Sequence, residues 1–438
     1  MTQNKIIGVI SLGCDKNRVD TEKMLAVLKD RHALTNDIEQ AQIIIINTCA
    51  FLESARKEAI EEILSAAQLK KHGKAEKLIV TGCLPQKFVG DLYDELTEVD
   101  AFLGVSDYGL LLDVIDRIYL GERVNAVGSP REECTKNRVL TTSNYAYLKI
   151  ADGCSNHCTY CLIPYIRGKY RSVPTDDLIA EARGLGDISE LILVAQDTAR
   201  YGCDLTPKTS LVSLIKRLSE LDNIKAIRLL YCYPENITEE LIQELKNNPK
   251  LIKYIDIPLQ HADDRILKLM NRKGTGNGYL ELINRLKTEI QGIAIRSTFI
   301  TGFPTEDDNA FENLCSFIEK AKLFNAGFFK YSKEDGTAAA RLDGQVAQSI
   351  KTARHKKLYS VQKKVVRETF KGLKGKTFKV LAEGFDENML MYYGRAYFNA
   401  PDIDGKIYFF SADEVSYGKF YDVKIKTATG YDLYGERL

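Results

Sequence analysis

Tyr147-Leu148-Lys149-Ile150-Ala151-Asp152-Gly153-Cys154-Ser155-Asn156-His157-Cys158-Thr159-Tyr160-Cys161 is an apolar strand that runs straight into a loop with three thiols in eight residues. The intervals, three residues and then two, let one short loop wrap one face of a metal centre. Thiolates bind iron–sulfur clusters and structural zinc well. A tetrahedral zinc needs a fourth ligand, and His157, directly beside Cys158, is badly placed to share its neighbour's ion. Three ligands on a four-iron cluster leave one iron open to chelate a small molecule. A zinc knuckle or a redox-active thiol set is the competing reading.

Downstream, strand candidates follow at residues 191–195, 226–230, 254–257, 294–300 and 327–330, with amphipathic helices between most of them. About six βα units predict a partial TIM-like barrel, a fold that places its chemistry on the loops after its strands. The three thiols lie on the first such loop. Residues 354–371 read as a markedly basic helix, either a solvated face, a linker or an RNA-binding surface.

Upstream, KIIGVIS (5–11), QIIIIN (42–47) and KLIVT (77–81) read as strands, with helices at 19–29, 56–67 and 110–119. This alternation predicts a parallel sheet. Cys14, Cys49 and Cys83 each follow one of these strands. Neighbouring parallel strands end on one edge, so three thiols distant in sequence can converge there on a second cluster. Three unrelated buried cysteines are the alternative, since cysteine is often buried.

After residue 371 strand-like runs crowd together at 377–383, 389–397, 406–411, 420–427 and 431–436. They predict a small antiparallel barrel of the OB kind. The chain is therefore read as α/β with three units: a parallel-sheet domain at 1–127, a polar linker at 128–144, a partial barrel with its basic helix at 145–371, and a β-barrel at 372–438.

The 438 residues are 45% apolar and 28% charged, as in a soluble globular protein. With 61 Lys and Arg against 60 Asp and Glu, the whole-chain charge lacks the basic excess of a strong polyanion binder. The N-terminus has no basic n-region or cleavable h-region, and no apolar run is long enough for a bilayer. A cytoplasmic protein is expected, so its ten cysteines point to metal ligands or catalytic thiols rather than a disulfide framework. Cys134, Cys203, Cys232 and Cys315 fit no ligand spacing and read as structural. The five histidines form no cluster.

The Cys154-x3-Cys158-x2-Cys161 spacing resembles the radical S-adenosylmethionine (SAM) signature, and Ile163-Pro164-Tyr165-Ile166-Arg167-Gly168 behind it strengthens the match. With Cys14, Cys49 and Cys83 ahead of it and the small barrel behind, the whole chain is similar to the radical SAM methylthiotransferases. Their N-terminal domain is flavodoxin-like and their β-barrel is called TRAM. The resemblance implies two 4Fe–4S clusters, one on Cys154, Cys158 and Cys161 with SAM on its open iron, the other on Cys14, Cys49 and Cys83, handling sulfur. It also implies hydrogen abstraction by a 5′-deoxyadenosyl radical, chemistry that belongs to the cofactor while the protein positions and shields it.

By the same resemblance Gln196, Asp197 and Thr198 lie near the methionine part of SAM, although Asp and Thr suit a helix cap equally. Tyr160 contacts adenine or packs. Gln260 and His261 reach the site from the end of a strand, Arg296 pairs with the SAM carboxylate, and Thr298 lines the same strand. Residues 301–306 form a loop near the adenosine; the family usually has Gly where Thr305 stands. Arg167, Lys169 and Arg171 form either an anion site or a solvated strip.

Two acceptors compete. One is an aspartate of ribosomal protein S-twelve, free or in the small ribosomal subunit; the other is a tRNA adenosine, which would make nucleic acid a partner. Ser11-Leu12-Gly13-Cys14 with Lys16-Asn17, Ala195-Gln196-Asp197-Thr198 with Arg200-Tyr201-Gly202, residues 400–405 and residues 431–436 resemble the first branch. Asp15 departs from it, standing where Pro is common. Residues 372–438 carry nine Lys and Arg against ten Asp and Glu, a poor phosphate-binding surface and a suitable one for a basic protein. The resemblance further implies an electron donor such as flavodoxin or ferredoxin, and a sulfur donor; no membrane is involved. A non-catalytic iron–sulfur or RNA-binding protein is the reading from a different class.

Overall fold

The computed structural model describes residues 4–131 and 137–438; Cys134 lies outside them. The N-terminal sheet contains β1 (Ile6–Ser11), β2 (Ala33–Thr35), β3 (Ile43–Thr48), β4 (Lys77–Gly82), β5 (Ala101–Leu103) and β6 (Val124–Ala126) in the order β2-β1-β3-β4-β5-β6, with every pair parallel. The run Ile43–Thr48 is buried along its whole length. It alternates Ile43 and Ile45 into one core with Ile44 and Ile46 into another, as a central strand covered by helices on both faces must. The short strands β2, β5 and β6 go beyond the three read from sequence. The order is flavodoxin-like, and it reverses between β1 and β3, the crevice where such sheets bind ligands.

The central sheet runs β7 (Tyr145–Lys149), β10 (Glu190–Val194), β11 (Ile227–Leu229), β12 (Leu251–Asp256), β13 (Ala294–Thr301) and β14 (Asn325–Lys330) as parallel neighbours in chain order, an open barrel. The short β8 (Ala151–Asp152) and β9 (Arg171–Ser172) pair antiparallel and close off the segment between them, which carries Cys154, Cys158 and Cys161. The basic helix spans Gln348–Lys371, starting earlier than its charge pattern suggested. It buries Leu358, Val361, Val366 and Phe370 while Lys363, Lys364 and Arg367 stay exposed.

The C-terminal barrel closes as β15 (Thr377–Asp386), β16 (Met391–Arg395), β17 (Ile407–Phe410), β19 (Asp432–Arg437) and β18 (Phe420–Thr429). It is not purely antiparallel as expected: β17 and β19 pair parallel, because β18 intervenes in the chain and returns β19 to the edge of β17. Residues after β16 reach into the central barrel. Phe398 and Ala400 share a core with Ile192, Val194 and Ala294 from the central strands. Arg395 pairs with Glu190, Arg228 donates to the Tyr397 carbonyl, and Tyr254 donates to Asp404. Among the described residues no helix is long and apolar enough to cross a membrane.

Candidate active site

Cys14, Cys49 and Cys83 follow β1, β3 and β4, three adjacent strands. Cys14 caps the helix Asp15–Lys29 and Cys83 opens the helix Cys83–Glu95, so two thiols sit where helix dipoles favour an anion. Asp15 is the first helical residue, a position that suits Pro as well. Asn17 gauges the convergence: its Oδ1 lies 3.9 Å from Cys14 Sγ and 3.8 Å from Cys83 Sγ. Its Nδ2 donates to the carbonyls of Leu12 and Thr48. Glycine admits the approach. Gly13 has φ +94°, and a Cβ there would meet Cys49 Cβ at 2.7 Å; Gly82 has φ +98°, and a Cβ would meet Asn47 Oδ1 at 2.4 Å. Burial pushes the Cys83 thiol up to about 12, against the pull of Arg167 and helped by Cys49 and Cys14. Burial and Cys14 raise Cys49 as well.

The second triad is held by backbone. Cys154 N donates to the Gly168 carbonyl at 3.0 Å and Cys161 N to the Cys158 carbonyl at 3.1 Å. Asn156 N and Ile163 N point at the Cys154 and Cys161 sulfurs at 3.5 and 3.4 Å. His157 takes φ +52°, its carbonyl accepting from Asn271, so it turns the loop and is no ligand partner for Cys158. Burial pushes Cys154 up to about 11, and burial with Cys158 alongside lifts Cys161 above the usual thiol range. Arg272 Nη1 lies 4.0 Å from Cys158 Sγ. All six cysteines are free thiols. Among the described residues no three His, Cys, Asp or Glu side chains are gathered for a single ion. Soft cysteine triads, each with a guanidinium beside one sulfur, have the donor chemistry of an iron–sulfur site.

One buried network joins the N-terminal triad to the loop that carries the second. Arg167, 1% exposed, donates from Nη2 to Asn17 Oδ1 at 2.7 Å and Asp20 Oδ2 at 3.0 Å, with Cys83 Sγ at 3.7 Å. Its Nη1 donates to Asp152 Oδ2 at 2.9 Å. Lys149 pairs with both carboxylates. Burial opposes the charge on Arg167, but Asp152, Cys83 and Asp20 hold it ionised; burial likewise opposes the Asp152 carboxylate, and Arg167 and Lys149 hold it far below its ordinary range. Arg167 is therefore no part of a solvated strip or an anion site.

Residues 6–104 match an uncharacterized protein family, UPF0004; residues 148–318 match the radical SAM superfamily, and 375–438 the TRAM domain. The chain is 45% identical to the ribosomal protein uS12 methylthiotransferase RimO of Acetivibrio thermocellus, across 99% of this chain and 98% of that one. It is 44% identical to the enzyme of the same name from a Thermoanaerobacter species, across 99% and 100%. The chain belongs to the RimO family of radical SAM methylthiotransferases. Similar solved structures are the radical SAM methyltransferase TsrM from Kitasatospora setae, with cobalamin and a 4Fe–4S cluster (TM-score 0.55, 12% identity, 75% of each chain), and the cobalamin-dependent radical SAM enzyme OxsB (TM-score 0.53, 12% identity, 89% of this chain and 64% of that one). At that identity they share the fold.

A radical SAM enzyme of the RimO family uses a 4Fe–4S cluster and SAM, and buried polar atoms without partners mark room for a polar ligand at the barrel top. Gln196 Oε1 and Thr198 Oγ1 are two such atoms. Gln196 Nε2 is fixed by Asp152 Oδ1 at 3.0 Å. Asp197 is turned the other way: Asn156 and Asn236 donate to its Oδ2 at 3.1 and 2.7 Å, so it braces the thiol loop. Burial raises its carboxyl despite those donors. Tyr160 packs toward Met270, Phe303 and Tyr331 with Cys158 beside it. Gln260 adopts φ +74°, and its backbone bridges to Thr298 and Ile300.

Two expected contacts are engaged elsewhere. Arg296 Nη1 donates to Asp256 at 2.9 Å and its Nε lies 3.4 Å from Asp404 of the TRAM domain; two carboxylates already neutralise it. His261 is completely buried against Glu306, 3.2 Å away. Thr305 sits at φ +66°, which explains the glycine usual there. Cys232 and Cys315 are buried, while Cys203 is exposed beside Arg200. Asp20, Asp152 and Arg272 gave no distinct signal in the sequence, and Asn17 entered only through the resemblance of Lys16-Asn17: a role in bridging distant loops leaves no spacing to read.

Proposed function

We propose that this enzyme methylthiolates the β-carbon of an aspartate in ribosomal protein uS12. Cys154, Cys158 and Cys161 hold the cluster that binds SAM, and Cys14, Cys49 and Cys83 hold a second, sulfur-handling cluster. The observation that supports this most is the network through Asn17, Arg167 and Asp152, which ties the N-terminal triad to the loop that carries Cys154, Cys158 and Cys161. When bound, the cluster and SAM supply a radical able to take hydrogen from an unactivated carbon. The need for it follows from the acceptor: the carboxylate beside that carbon is already anionic, so removing a proton would create a dianion. The chain's own part is to hold and shield. Gln196 and Thr198 offer polar atoms to SAM, Tyr160 walls its site, and Asn156 and Asp197 fix the thiol loop.

The working units are residues 1–127, 145–371 and 372–438, joined by 128–144. The enzyme draws on a small electron donor such as flavodoxin or ferredoxin and on a separate sulfur donor, and acts in the cytoplasm. Mass spectrometry of uS12 and of tRNA from a strain lacking the enzyme tests the acceptor. Loss of a gain of about 46 Da on the aspartate, with tRNA unchanged, is expected from the transfer chemistry. Loss of methylthioadenosine from tRNA with uS12 unaltered overturns it.

A further inference from the structure

We propose that Arg167 is a positioning residue that sets the reduction potential of an iron–sulfur cluster on Cys14, Cys49 and Cys83 from the loop of the other triad. The inference rests on the reading above that those three thiols hold a cluster.

Arg167 belongs to the SAM-binding side by sequence, following Cys161 by six positions. The short helix Ile163–Ile166 ends at Arg167, and Gly168, at φ +74°, turns the chain away behind it. The guanidinium therefore crosses the interface between the domains. There its Nη2 touches the acceptor atom of Asn17, which itself faces Cys14 and Cys83, and comes within 3.7 Å of the Cys83 sulfur.

The fork is rigid. Asp152 and Asp20 hold its two ends; Asp152 is itself fixed by the Gly153 N–H at 2.8 Å, by Gln196 and by Lys149. Arg167 and Lys149 balance Asp20 and Asp152, and the Nη2 that donates to Asp20 also faces the Cys83 sulfur at 3.7 Å. A hydrogen-bonding cation at a cluster sulfur, away from water, favours the form that carries one more electron and raises the potential. Arg272 stands near Cys158, at 4.0 Å, but it stacks on Tyr233 and, among the described residues, pairs with no carboxylate.

The test uses the full chain with Cys154→Ala, Cys158→Ala and Cys161→Ala, reconstituted anaerobically, so that only the N-terminal cluster remains. Its midpoint is read by redox titration followed by electron paramagnetic resonance, beside iron content. Arg167→Gln is expected to keep the iron of the parent and to move the midpoint to more negative potential. Arg167→Lys, which keeps the charge and a bond to Asp152 but cannot fork to Cys83, is expected to move it less in the same direction. Asp152→Asn removes an anion and is expected to move it the other way. An unchanged or more positive midpoint in Arg167→Gln with iron intact overturns the proposal. If Arg167→Gln does not fold, a midpoint in Arg167→Lys equal to the parent's overturns it. A parent that binds no iron overturns the N-terminal cluster itself, a result distinct from a failure of Arg167.

Discussion

Cys154, Cys158 and Cys161 lie on one loop, whereas Cys14, Cys49 and Cys83 come from three strand ends and meet only because β1, β3 and β4 are neighbours. The first triad is shaped by its own backbone, through Cys154 to Gly168 and Cys161 to Cys158. The second depends on topology, on Asn17 between its sulfurs and on glycines that let the strand ends close. A local motif survives as long as its loop does; a dispersed one fails with the sheet that assembles it.

Removing thiols breaks this comparison most severely. The reconstituted enzyme should hold about eight irons, and replacing either triad by alanine should leave about four. The Cys154, Cys158 and Cys161 variant should make no detectable 5′-deoxyadenosine. The Cys14, Cys49 and Cys83 variant should still cleave SAM, uncoupled, and make no methylthio product. Wild-type product formation by the latter would show that the dispersed triad is only structural.

The same contrast decided what could be read in the sequence. The eight residues 154–161 carry their chemistry on their face, and the six barrel strands were legible as apolar runs. The N-terminal thiols were legible because each follows a strand. The bridge between triads was not: Arg167 sits among Lys169 and Arg171 and looks like surface charge, and only the folded interface brings Asp20 and Asp152 to it. Arg296 misled for the mirror reason. Its strand was placed correctly, but the carboxylate it meets, Asp404, belongs to the TRAM domain more than a hundred residues later. Non-local ion pairs have no periodicity, so sequence patterns miss them.

The TRAM clamp offers a control that should leave both triads alone. Arg395 is buried between Glu190 and Glu383. Arg395→Met leaves the partly buried Glu383 without its cation and Glu190 with Arg228 alone, and should cost about 3 kcal/mol, read by urea denaturation, with iron content unchanged. Burial pushes the Glu190 carboxyl up, but Arg228 and Arg395 outweigh it and hold it below its ordinary value. A depressed carboxyl stabilises the fold above the unfolded value of about 4.3 and loses that contribution as pH falls through the folded value. Wild-type stability should therefore drop only below about pH 4 from this group. In Arg395→Met the acid drop from this group should be smaller, since with one of the two cations gone the folded value lies closer to the unfolded one.

Gly82→Ala tests the topological triad more gently. At φ +98° the new Cβ would press on Asn47 Oδ1 and on the Thr48 carbonyl at 2.6 Å. The expected cost is about 1–3 kcal/mol. The separation between β3 and β4 should widen, so loss of the N-terminal irons should precede loss of the others as urea rises. Simultaneous loss would mean that both triads share one cooperative unit, and that the Arg167 network rather than the sheet sets their stability.

The smallest effect is expected at Thr305, where the barrel departs from the habit of the N-terminal domain. Gly13 and Gly82 supply the left-handed turns beside the dispersed triad, but the loop after β13 makes its turn with a β-branched residue at φ +66°. Such a conformation costs a non-glycine residue about 1–2 kcal/mol. The turn persists because Thr305 N donates to the Gly344 carbonyl at 2.8 Å, and Arg265 donates to its carbonyl and hydroxyl at 3.0 and 3.1 Å. Thr305→Gly keeps both backbone contacts, removes the strain and loses only the exposed hydroxyl bond. Part of the gain is offset because glycine gives up more freedom on folding. The net expectation is a stabilisation of about 0.5–1 kcal/mol in urea, with SAM affinity by calorimetry unchanged. A loss of stability would show that the Arg265 hydroxyl contact outweighs the backbone strain. Weaker SAM binding at unchanged stability would assign the Thr305 side chain to the cofactor site.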